Sequence, residues 1–383
     1  MTTKTIVIKA TTKQQGVTLV ELMITLLLGL IITAGVIQIF ISNKATYSTQ
    51  EGIVQMNENM RFAFEKIGKD IRMAGFLGCR RSVPRINMAI NGADIPDYFN
   101  PLTGIQGWDA DGTGPGTAVT INAISAAEVE TDDGGWNTLA GANNALKNAD
   151  VVPDSDIIRA WFADSESTPI LSINETTQSV TLRGKSMDVA AGDVLVFHDC
   201  ESVDIAIACS VSESSGNKVI SLAGCSDEDL MTNGRNLSVS AVNGEVSKLN
   251  FALYYIAKEG SGGSGASNPP ALYLREISRN GDKSAGGGAR ELVRGVENMQ
   301  VLYGIDTDSD GVANQYVTAD SDELKNWNSV VSVKISLLMS TLDNVPGIDS
   351  TYYNVNGTTI TPAADNRLRK VYTTTILLRN RTS

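Results

Sequence analysis

The sequence predicts an α+β protein: one long N-terminal helix followed by a β-rich globular domain with long loops. Three observations predict it. From Val17 to Ile41 the chain is almost wholly apolar, interrupted only by Thr18, Glu21, Thr25, Thr33 and Gln38 and by two glycines. From Ile53 to Ala74 apolar residues return at steps of three and four, the period of a helix with one buried face. Beyond Gly75 the texture changes to short apolar runs separated by Gly, Asn, Asp, Ser and Thr, the punctuation of strands and turns.

The first element is the apolar run. Twenty-five residues at about 1.5 Å each give about 37 Å of helix, enough to cross a hydrocarbon layer of about 30 Å with some tilt. Lys4, Lys9 and Lys13 precede the run and only Lys44 follows closely, so the charge bias places the N-terminus in the cytoplasm and everything past Ser42 outside. A secretory signal peptide would need a shorter apolar core and a small-residue cleavage site, and "FISNKA" is a poor one. A plain anchor leaves Glu21 unexplained, because a carboxylate in hydrocarbon costs several kcal/mol and usually marks function. A third reading takes the punctuation at face value: a basic leader, then Gly16, then an apolar helix with Glu at its fifth position.

The second element continues the first. Ile53, Met56, Met60, Phe64, Ile67, Ile71 and Ala74 form one stripe, with Glu58, Arg61, Glu65, Lys69 and Arg72 left to face water. The third is a set of ten expected strands: 156–163, 178–184, 192–200, 203–210, 217–225, 248–258, 270–278, 296–305, 328–340 and 368–380. Residues 91–150 and "EGSGGSGASNPP" (259–270) read as loops. No fixed-period repeat is present, which argues against a solenoid or propeller.

With 383 residues and a formal charge of −12, the chain is a poor candidate for a phosphate backbone, and no nucleic acid is expected as a partner. Catalysis finds little to use. His198 is the single histidine; it stands beside Asp199, but no Gly-x-Ser-x-Gly elbow or phosphate-cradling loop accompanies it. The one chemical-looking motif is "DTDSDGVANQYV". Asp306, Asp308 and Asp310 alternate, Gly311 supplies a turn, and the Val312 carbonyl follows, as in the first seven positions of a calcium loop. Its twelfth position is Val317 where a bidentate Glu would stand, so either a later acid such as Asp320, Asp322 or Glu323 completes a Ca²⁺ shell or the site is weak. "DADG" at 109–112 is a shorter echo. Cys79, Cys200, Cys209 and Cys225 allow three disulfide pairings and contain no Cys-x-x-Cys spacing for zinc.

"KQQGVTLVELMITLLLGLIITAGVIQIF" resembles the signal of type IV prepilins, in which a prepilin peptidase cuts after the glycine and methylates the new N-terminus. "DIRMAGFLGCR", "GDVLVFHDCESVDIAI", "VLYGIDTDSDGVANQYV" and "LRKVYTTTILLRNR" resemble blocks of the PilW-type minor pilins. The resemblance implies a type IV pilin-like fold in four parts: leader 1–16, membrane and assembly helix 17–42, amphipathic continuation 43–76, and an external β-rich domain 77–383. It implies processing at Gly16 and Val17. Glu21 becomes an assembly residue, pairing with the amine of a neighbouring subunit's first residue. It also favours Cys79–Cys200, with Cys209–Cys225 left as the second pair. The implied partners are other minor and major pilins, the inner-membrane assembly platform, the prepilin peptidase and a tip adhesin. The implied location is the inner membrane before assembly and the pilus on the cell surface after it. Two alternatives stay open: a minor pseudopilin of type II secretion, and a tip-binding module that uses the loops.

Overall fold

The computed structural model describes residues 16–78, 85–88, 103–110, 112–121, 151–199, 201–225, 237–257, 269–276, 289–345 and 351–380. The chain divides into two units, Met1–Glu51 and Gly52–Ser383. The described part of the first is helical from Leu19 onward, and its apolar side chains are exposed: Val17, Leu19, Leu30 and Phe40 are each at least two-thirds open.

In the second unit the same helix, α1 (Leu19–Met73), buries Met56, Ala63, Ile67 and Ile71, while Glu58, Arg61, Glu65, Lys69 and Arg72 are exposed, as the three-and-four spacing predicts. Ile53 departs from the expected stripe and is 37% exposed. The helix stops at Gly75, whose φ of +76° is a left-handed conformation that suits glycine and whose N–H turns to the carbonyl of Trp161.

The strands in chain order are β1 (Arg85–Met88), β2 (Ile105–Trp108), β3 (Ala118–Thr120), β4 (Ile157–Ala163), β5 (Thr168–Asn174), β6 (Ser179–Leu182), β7 (Val194–His198), β8 (Ser202–Ile207), β9 (Ser210–Ser214), β10 (Asn217–Ser221), β11 (Glu245–Ala257), β12 (Ala271–Glu276), β13 (Ala289–Arg294), β14 (Val296–Ile305), β15 (Gln315–Val317), β16 (Val330–Ser340), β17 (Tyr353–Val355), β18 (Thr358–Thr361) and β19 (Arg369–Leu377). They form a 12-stranded sheet, a four-stranded sheet ordered β15-β14-β16-β19, and a small sheet of β17, β18 and β3.

The long strand β11 organises the large sheet. Its first residues pair with β7 and β5, and its later ones with β4 and β12. Its side chains alternate between two cores. Leu249, Phe251, Leu253 and Tyr255 join a core with Trp161 and Phe197, whereas Ala252, Tyr254 and Ile256 join a second core with Ile67, Ile71, Val301 and Ile335. Both faces are therefore apolar, which is why "FALYYIA" shows no polar alternation. Strand β4 divides the same way, with Ile157 and Trp161 on one side and Ile158 and Ala160 on the other.

The stretch 91–150, expected as loop, contains β2 and β3. Strand β2 is too short to show a period, and its antiparallel partner β4 lies some fifty residues on, so pairing rather than local pattern makes it a strand. Residues 91–102, 122–150 and 259–268 lie outside the described residues.

Candidate assembly helix and acidic loop

At the start of the helix the Thr18 carbonyl accepts Leu22 N–H at 3.1 Å, and the Thr18 hydroxyl accepts Glu21 N–H at 3.3 Å. Thr18 is thus an N-cap, and Thr-x-x-Glu has the spacing of a capping box. Sequence reasoning passed over Thr18, although that spacing was its signal. The other hydroxyls in the run bond backward into the helix. Thr25 donates to the Glu21 and Leu22 carbonyls and Thr33 to that of Gly29, so neither needs a partner in hydrocarbon. Glu21 is the sole ionisable residue between Val17 and Ile41, and its carboxylate has no ion pair among the described residues. A cation close to the helix N-terminus would meet its need; Gly16 and Val17 immediately precede the helix, with Val17 69% exposed.

Farther along, Asp70 is buried at 2% exposure, accepts a 2.5 Å bond from the Tyr254 hydroxyl and pairs with Lys66 at 2.8 Å. Burial and the Asp70 charge beside it raise the Tyr254 hydroxyl far above its ordinary range. This contact ties helix to sheet at the edge of a cavity of about 430 Å³, lined by Lys66, Asp70, Met73, Phe162, Lys248 and Phe251 among others. Nothing in the local sequence marks Asp70 for burial, because its partner Tyr254 lies 184 residues away.

The acidic loop brings the Asp306, Asp308 and Asp310 carboxylates together, with one oxygen from each within 4.8 Å of the others. Asp306 accepts N–H bonds from Asp308 (3.2 Å), Ser309 (2.6 Å) and Gly311 (2.8 Å), and Asp310 accepts one from Val312 (2.7 Å). Desolvation pushes the Asp306 carboxyl up, but these donors outweigh it and hold the group below its ordinary value. An all-oxygen set of this kind fits a hard cation such as Ca²⁺. Val317 is buried in β15 and presents no side-chain oxygen. Asp320, Asp322 and Glu323, the later acids offered to complete the shell, are not in that grouping, and Asp320 acts electrostatically on Asp109 and Asp156. Among the described residues the acidic grouping holds Asp306, Asp308 and Asp310 alone.

Cys209 and Cys225 form a disulfide with Cα atoms 4.6 Å apart, bracketing the β9–β10 hairpin. Cys79 and Cys200 lie outside the described residues. The chain beside them converges: a Cβ built on Gly78 would stand 2.5 Å from the His198 ring, so only glycine fits there. His198 is itself 5% exposed; burial lowers its pKa, against the opposing pull of Glu245 and Asp199. That places it as a packed ring.

A long apolar helix bearing one carboxylate, continuing into a β-rich domain, is a pilin-like α+β arrangement. The family model described as the prokaryotic N-terminal methylation motif matches residues 11–37. The model described as type IV pilus-assembly protein W, PilW, matches residues 253–380, from the second half of β11 through β19. Together the two matches support a PilW-type pilin, and a pilin-type chain associates with other pilus components. The apolar helix and the prepilin-type signal suggest membrane anchoring. Neither the curated proteins nor the solved structures contain a significant match.

Proposed function

We propose that this chain is a minor pilin of a type IV pilus. It is inserted in the inner membrane with its N-terminus cytoplasmic and cut after Gly16 by a prepilin peptidase. It then helps prime the filament at or near its tip with other minor pilins. Its role is structural, with no reaction of its own. The observation that carries this reading is the isolation of Glu21: every hydroxyl of the first helical turns is satisfied within the helix, and the one carboxylate has no ion pair among the described residues. In a membrane that group is costly alone; beside the new N-terminal amine of a neighbouring subunit, two costly charges become one tolerable pair. Glu21→Ala in a strain deleted for the native copy is expected to lower surface pili several-fold while membrane levels of the protein hold steady. Normal pilus numbers would count against priming.

The acidic loop is proposed as a weak Ca²⁺ site held by Asp306, Asp308, Asp310 and the Val312 carbonyl. Three carboxylates this close repel one another without a cation. Chelation should lower the melting temperature of the detergent-solubilised chain, and Asp308→Ala should remove part of that response; an Asp308→Ala protein with the full response would refute this site. The Cys79–Cys200 pairing is likewise proposed, supported by the Gly78–His198 contact and by the bond already made between the other two cysteines.

A further inference from the structure

A second acidic centre lies inside the large domain. Asp109 follows β2 and Asp156 precedes β4, and the two are 5% and 2% exposed. Asp156 is held rigidly: its Oδ1 accepts Ala110 N–H at 3.1 Å and its Oδ2 accepts Val301 N–H at 2.7 Å. The pairing of Trp108 with Ile157 sets Asp109 beside Asp156, where each carboxyl acts on the other, and the Asp109 Oδ1 has no hydrogen-bond partner. The Tyr303 hydroxyl, in a residue only 1% exposed, also has none. It is pressed against β2, since a Cβ on Gly107 would fall 1.6 Å from it, and it feels the charges of both carboxyls. Exposed Asp320 adds a third negative charge that both carboxyls feel.

We propose that Asp109, Asp156 and the Tyr303 hydroxyl bind a divalent cation of the calcium class, approached from the side of Asp320. Two neighbouring carboxyls in a dry interior cannot both ionise unaided. They must take up either a proton or a cation. A proton shared between Asp109 and Asp156 relieves that contact alone and leaves the Asp109 Oδ1 and the Tyr303 hydroxyl orphaned, whereas a cation gathers every one of these oxygens and is matched by the charge of Asp320. The donors are all oxygen, which selects a hard ion over zinc or copper. This centre is separate from the Asp306–Asp310 loop, and the proposal does not depend on the pilin reading.

The test uses the full chain in detergent carrying Asp308→Ala, so that the acidic loop is weakened in every sample. Terbium is the probe. Trp108 precedes Asp109, and Trp327 packs edge-on against Tyr303 at 4.9 Å, so tryptophan excitation should light a bound ion. Terbium emission that calcium displaces is expected, with calcium at about a hundred times its Kd shifting the unfolding equilibrium about 100-fold toward the folded state. Asp109→Asn should abolish both effects while melting no lower than its parent in chelator, because it removes a buried like charge. Should Asp109→Asn fail to fold, Tyr303→Phe keeps the ring and should weaken terbium binding several-fold. Emission unchanged in the variant that folds overturns the proposal. So does stability that ignores calcium and falls steadily as pH rises from about 4 to about 9, the range over which a shared proton would be held by the folded pair and lost from the unfolded chain.

Discussion

Individual side chains carry more of this molecule's polar organisation than their sequence neighbours reveal. Arg369 and Glu297 meet in a two-point ion pair at 2.7 and 3.0 Å, both nearly buried, with Asp365 adding a third contact at 2.8 Å. The pair fastens the start of β19 to the start of β14. Burying such ions is costly, and the attraction between them offsets that cost only while both are present. Glu297→Ala should therefore destabilise the domain by about 3–5 kcal/mol, whereas Glu297→Met with Arg369→Leu should cost much less; urea unfolding of the solubilised chain compares them. An equal loss in both would show that shape, not charge, makes the contact. At this scale the sequence was only half legible. Gly16, Val17 and Glu21 stand together in a readable signal, and Asp306, Asp308 and Asp310 in another. Asp109 and Asp156 are far apart in sequence and become one centre only because β2 pairs with β4. "DADG" stands out in the sequence, but nothing local indicates its buried partner.

Among the elements, the helix shows how one pattern serves two solvents. Its amphipathic half buries Ile67 completely, while Phe62 on the opposite side is 53% exposed. Ile67→Ala removes methylenes from a filled core and is expected to cost about 2–5 kcal/mol. Phe62→Ala is expected to leave stability within about 0.5 kcal/mol. Chemical denaturation of the two variants decides this, and comparable losses would mean that the helix docks by another face. The helix and the ten apolar runs were visible because their patterns are long and strong. Strands such as "SVSES" (β9) and "YNV" (β17) were not, since they are short, largely polar and defined by neighbours that hydrogen-bond to them.

For the whole molecule, the fold class was legible and the topology was not. Parallel pairings of β1 with β8 and of β3 with β18 join segments more than a hundred residues apart, and no local pattern specifies them. The residues matched by the PilW model run from β11 to β19, and include the four-stranded sheet together with much of the core into which the helix packs. The proposed function rests instead on the opposite end of the chain, where a processed N-terminus and Glu21 would act as a pair between subunits. Intact-mass and N-terminal peptide mass spectrometry of the protein purified from piliated cells tests that most directly. The predicted result is a chain lacking residues 1–16 that begins at an N-methylated Val17; a chain that retains Met1, or one cut beyond the apolar helix, would contradict it.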